Sequence, residues 1–157
     1  MARVTKYRTM LDVDGRAVLE KEAAFNCPDV DKKLITPTAV EKLAKNFLRM
    51  HELPEEHMYM LVLNNKLVLT GIMEISHGNV NSSIVGPREV FQKALLANAV
   101  NIMLLHNHPS GDPTPSMEDI KVTERLVEAG KLLGIQVVEH MVIGQTCVSL
   151  REKGYIK

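Results

Sequence analysis

The order in which apolar strand-length runs and helical periodicities follow one another leaves few architectures open to this chain. Val40, Leu43, Ala44, Phe47 and Leu48 recur at i, i+3, i+4, i+7 and i+8, the stripe of a helix with one face on a core. Thr36-Pro37 supplies its start, Thr as N-cap and Pro at the first helical position, and Pro54 closes the element. Residues 57–63 and 66–75 are rich in Leu, Met and β-branched side chains and flank Asn64-Asn65. Two asparagines tolerate positive φ, so a hairpin with a tight turn is expected. Both strands are apolar on both faces, as strands are when layers cover each side of a sheet. A second helix is expected from Pro87 to about residue 100, with Val90, Phe91, Ala94, Leu95 and Asn98 along it. Ile102-Met103-Leu104-Leu105 is a short buried strand that ends directly at His106. A third helix runs from Ser116 to about Leu133 and closes on Gly134, and strands 135–143 and 146–150 flank Gly144-Gln145. Helices interleaved with apolar strands predict an α/β fold, a layered mixed β-sheet with flanking helices.

The first 35 residues read differently. Asp14-Gly15 sits between two partly alternating segments, which predicts a β-hairpin, and residues 23–34 read as a connection. The expected division is therefore an N-terminal hairpin and connection over 1–35 and a main domain over 36–157. Residues 76–86, rich in Gly, Asn and Ser, read as a loop. No stretch reaches the roughly 18–20 apolar residues of a membrane span, and the first residues lack the apolar core of a secretory signal. Cys27 and Cys147 lie far apart in sequence with no CxxC pair, which suits a reducing cytoplasm. Nineteen Lys and Arg balance nineteen Asp and Glu, so a protein whose main task is coating a polyanion is not expected. The cationic excess is concentrated in Arg3, Lys6 and Arg8. At 4% aromatic residues, the chain is also poor in stacking platforms for single-stranded bases.

One segment carries chemistry: His106-Asn107-His108-Pro109-Ser110-Gly111-Asp112-Pro113-Thr114-Pro115-Ser116-Met117-Glu118-Asp119. Residues i and i+2 share a strand face, so His106 and His108 can aim both imidazoles at one point. A Pro- and Gly-rich loop then reverses the chain. Asp119, in the first turn of the next helix, can return a carboxylate to the same point. Two imidazoles, one carboxylate and an open fourth position form a donor set of catalytic zinc. Ser116-x-x-Asp119 is equally a capping box, which suits a helix N-terminus with no metal present. His140 reads as a histidine of a core strand, with support of a metal-ligating residue as the lesser alternative, Ser110 as part of the loop turn, and His51 as a complement to a helix dipole.

The string HNHPSGDPTPSMED, with Gly86-Pro87-Arg88-Glu89-Val90-Phe91 before it and Glu139-His140 and Val142-Ile143-Gly144 after it, resembles bacterial RadC-type JAMM (MPN⁺) domains over roughly residues 36–157. The resemblance implies zinc ligands at His106, His108 and Asp119, and a transition-state-stabilising serine at Ser116. It implies a general base at Glu56, with Glu55 as the alternative, and a mixed sheet between helices similar to that of cytidine deaminases. Two positions depart from the family pattern: Gly86 stands where His is common, and a hairpin is expected where longer members carry a helix-hairpin-helix segment. The function implied is zinc-dependent hydrolysis of peptide or isopeptide bonds in a peptide or protein substrate. The rival expectation is a binding module for DNA repair or recombination with a structural zinc. No membrane partner is expected, and the sequence fixes no oligomeric state.

Overall fold

The computed structural model describes residues 2–27, 36–78 and 85–157. Positions 28–34 of the expected connection and 79–84 of the expected loop lie outside them. Strands β1 (Ala2–Leu11) and β2 (Ala17–Cys27) form the N-terminal hairpin. Helix α1 (Pro37–Lys42) follows, then β3 (Glu56–Leu63), β4 (Leu69–Gly78), α2 (Pro87–Leu96), β5 (Asn101–Asn107), α3 (Met117–Leu133), β6 (Gln136–Ile143) and β7 (Cys147–Ser149). The seven strands make one sheet in the order β2-β1-β4-β3-β5-β6-β7. The sheet is mixed, as expected: β1/β4 and β5/β6 are parallel and the other pairs antiparallel.

Each face of the sheet has its own core. Met58, Met60, Val62, Leu104 and Val142 point to one side, where Val90, Phe91 and Ala94 of α2 and Val122 and Leu126 of α3 meet them. Leu61, Leu63, Ile72, Leu105 and Met141 point to the other, against Val40, Leu43, Ala44 and Met50. This two-sided burial explains why β3 to β6 are apolar at successive residues rather than alternating. The hairpin belongs to the same sheet. β1 pairs with β4 over Thr5–Tyr7, and Val4 is fully buried in the core that holds Leu61.

Residues 23–27 of the expected connection belong to β2 instead, and three further local expectations are corrected. The Thr36 hydroxyl accepts the Ala39 N–H at 3.2 Å, so the N-cap stands. The helix does not run on regularly, however. Leu48 N–H reaches back five residues to the Leu43 carbonyl, opening a π turn over Leu43–Phe47, and a 3-10 turn follows at Met50–Glu52. The stripe stays on the core across the wider turn, because Leu43 and Ala44 are buried and Phe47 and Leu48 pack against them. Between β3 and β4 the turn spans 64–68, and positive φ falls on Leu67 (60°) rather than on an asparagine. Asn64 is occupied otherwise: its side-chain oxygen accepts the N–H groups of Lys66 and Val68 at 2.9 and 3.1 Å. Asn98 ends α2 instead of extending it. It takes a left-handed conformation (φ 54°), which asparagine tolerates better than most residues, and Ala99 N–H bonds the Ala94 carbonyl.

Candidate metal centre

β5 is buried at every residue. Its end delivers His106, with no exposed surface, to the face covered by α2 and α3. One residue beyond the strand, His108 N–H still bonds the Ile143 carbonyl at 2.9 Å, so the ladder with β6 continues and His108 keeps the face of His106. α3 brings the carboxylate. Ser116 is its N-cap: the hydroxyl accepts Asp119 N–H at 3.1 Å, and Asp119 Oδ2 accepts Ser116 N–H at 2.8 Å. The capping box and the donor set are therefore the same object, since the box aims the carboxylate at the histidines.

The three groups meet closely. His106 Nε2 lies 3.1 Å from His108 Nε2 and 3.3 Å from Asp119 Oδ1, and His108 Nε2 lies 3.3 Å from Asp119 Oδ2. Among the described residues this is the group of His and acidic side chains that can hold a metal ion. Nitrogen and oxygen donors at ~2.0–2.2 Å from a tetrahedral zinc stand ~3.3–3.6 Å apart, close to the separations found. The donor chemistry fits as well. His108 Nδ1–H donates to the Asp112 carbonyl at 2.9 Å, which leaves the Nε2 lone pair facing inward. A lone pair beside a carboxylate at this distance calls for a cation or a proton between them. Hydrogen bonding to Asp119 accordingly pushes the His108 pKa up against the opposing effect of burial, with a smaller contribution from the Glu56 charge. Burial pushes the Asp119 carboxyl up, but the neighbouring His106 and His108 rings and the Ser116 N–H together hold it well below the usual carboxylate range.

Glu56 opens β3, half-buried. Met58 pairs with His106, the last pair of the β3/β5 ladder, and the charge of Glu56 two residues earlier acts on His108. The backbone on either side of Glu56 is clamped by Asn107, whose side chain accepts His57 N–H at 2.7 Å and donates to the Glu55 carbonyl at 2.9 Å. The Glu55 carboxylate is directed to His77, 3.2 Å away. Ser116 is exposed, and because its oxygen accepts from Asp119 N–H, its own hydroxyl proton is free to point outward. Ser110 serves the loop turn, its hydroxyl accepting Asp112 N–H at 3.3 Å, and His51 sits in the 3-10 turn beside Glu52.

Three residues at the centre were not singled out by spacing. Asn107, between the two histidines, bonds the backbone of β3 on both sides of Glu56. His140 is fully buried, as a core histidine is, and its Nε2 lies 2.7 Å from His106 Nδ1, in keeping with the lesser alternative. Thr123 lies 2.6 Å from His140 Nδ1 and donates to the Asp119 carbonyl at 2.7 Å. The available signal was a histidine in an otherwise apolar strand next to a buried acid, Glu139.

The class that fold and site define is a layered α/β domain that gathers two imidazoles and a helix-capping carboxylate at one strand end, a group that could hold a metal ion. This chain belongs to the RadC-like JAB domain family, whose model matches residues 34–155. It is 54% identical over 107 residues to a UPF0758 protein of Caldanaerobacter subterraneus, covering 68% of this chain and 46% of that protein. It is 43% identical over 127 residues to a UPF0758 protein of Clostridium beijerinckii, covering 80% and 55%. With a UPF0758 protein of Listeria welshimeri it shares 41% over 159 residues, covering 99% and 66%. The chain thus spans about half to two thirds of the length of these relatives.

Proposed function

We propose that this domain is a zinc-dependent hydrolase of peptide or isopeptide bonds, with His106, His108 and Asp119 holding the ion. The observation that supports it most is the meeting of His106 Nε2, His108 Nε2 and the Asp119 carboxylate within 3.1–3.3 Å of each other. Two imidazoles with one carboxylate favour zinc over the hard cations that prefer all-oxygen sites. Bound there, zinc would supply Lewis acidity and bring the pKa of a coordinated water toward ~7.

The remaining work falls to side chains of this chain. Glu56 takes a proton from the attacking water and returns it to the leaving amine, a role supported by the action of its charge on His108. The Ser116 hydroxyl donates to the carbonyl oxygen as that oxygen gains charge. The Asp112 carbonyl holds the His108 ring in register. The substrate is a peptide or protein, and a cytoplasmic setting suits the two widely spaced cysteines.

The test is hydrolysis of a mixed library of peptides and lysine-linked isopeptides, followed by mass spectrometry. Glu56→Gln should keep its zinc and lose at least ~10²-fold in turnover, the usual scale of general-base loss. Unchanged turnover in that variant would refute the mechanism.

A further inference from the structure

We infer that Thr123 and His140 are positioning residues that fix the His106 ring with its Nε2 lone pair turned to the metal position, an inference that rests on the metal-site reading above. The argument is a count of protons along one buried chain of contacts. Thr123, fully buried, lies 2.7 Å from the Asp119 carbonyl, which can only accept. The single hydroxyl proton therefore goes to that carbonyl. The threonine oxygen is left as an acceptor for His140 Nδ1 at 2.6 Å, so His140 carries its proton on Nδ1.

A neutral imidazole protonated on Nδ1 has a bare Nε2. That nitrogen lies 2.7 Å from His106 Nδ1, so His106 must donate there, and its own Nε2 is left bare. This is the nitrogen that meets His108 and Asp119. One hydroxyl on α3 thus dictates the tautomer of a donor on β5 through a ring on β6. The chain begins at the Asp119 backbone and returns to the Asp119 carboxylate, so it also ties together the three elements that build the centre. For His108 the same service is local, from the Asp112 carbonyl. His106, inside a buried strand, needs a partner from elsewhere in the fold, and partners of this kind typically govern metal affinity by ~10–100-fold.

Thr123→Val keeps the side-chain shape and removes the acceptor. The His140 ring then gains by moving its proton to Nε2, where it faces His106 Nδ1 and drives the His106 proton onto the donor nitrogen. Zinc affinity of the full chain, measured by competition with a chromophoric chelator, should fall ~10–100-fold in Thr123→Val and stay within ~3-fold of wild type in Thr123→Ser. Imidazole ¹⁵N spectra of the zinc-free protein should show His140 protonated on Nδ1 in wild type and on Nε2 in Thr123→Val. A folded Thr123→Val with wild-type zinc affinity overturns the inference, as does an Nε2-protonated His140 in wild type. Should Thr123→Val fail to fold, the wild-type tautomer and the Thr123→Ser affinity decide it. Wild type that takes up no zinc overturns the metal reading itself, whereas equal zinc binding by wild type and Thr123→Val overturns the relay alone.

Discussion

Asn107 stands between two donor histidines, and its side chain does what one more residue of strand pairing would otherwise do. It gives the Glu55–His57 backbone both an acceptor and a donor where β5 ends. The β3/β5 ladder ends at Met58 and His106, and beyond it a side-chain amide substitutes for the backbone. Asn107→Ala should therefore leave zinc content near wild type while speeding hydrogen exchange at the His57 amide. Unchanged exchange at His57 would contradict this placement. The donor set itself was legible because it is local: two histidines on one strand face and a carboxylate three residues into a capping box require no knowledge of the rest of the fold. Thr123 was not legible and His140 only as the lesser of two readings, because their contact depends on β6 lying parallel beside β5 and α3 lying over both.

Among the elements, the turn between β6 and β7 supports the loop that carries Asp112. Gln145 N–H bonds the Gly111 carbonyl at 2.8 Å, and a Cβ on Gly144 would come within 2.4 Å of that carbonyl oxygen. Gly144→Ala must push the loop outward. It should cost about 1–3 kcal/mol in urea unfolding, as overpacking usually does, and weaken zinc binding by displacing the carbonyl that holds His108. Wild-type stability and zinc affinity together would contradict the close approach.

Glu139 ties β6 to the segment after β7 by accepting from His140 N–H, the Ser149 hydroxyl and Arg151 N–H. Burial pushes its carboxyl above the ordinary value of 4.5, although those hydrogen bonds pull the other way. A raised folded pKa means that the folded chain holds this proton better than the unfolded chain. The stability it contributes is thus present at low pH and lost as pH rises from that ordinary value through the raised one. Glu139→Gln lacks this dependence, so the wild-type advantage in urea midpoint should shrink between pH 4.5 and neutrality; a constant difference would contradict the shift. At this scale the order of helices and strands was legible from periodicity. The π turn after α1 and the 64–68 turn were not, since they depend on which backbone groups a particular side chain satisfies.

Across the whole molecule, one sheet with a core on each face joins the N-terminal hairpin to the centre. The hairpin was foreseen from Asp14-Gly15, but its parallel docking on β4 was not, because no local signal encodes a partner some sixty residues away. The pairing within the hairpin bears on the rival DNA-binding reading. Two of the three clustered cations are occupied, Lys6 with Glu22 at 3.3 Å and Arg8 with Glu20 at 2.8 Å, in a chain whose formal charges sum to zero. Duplex DNA affinity should be weak at ~0.15 M salt, with a shallow salt dependence. A steep salt slope, lost on converting Lys6 and Arg8 to Ser, would restore that reading. Among the described residues no helix is long and apolar enough to cross a membrane. The most direct test of the account is the zinc content of the purified chain by elemental analysis. Wild type should carry about one zinc per chain, the complement of a single three-donor site, and His108→Ala close to none; equal zinc in the two would contradict it.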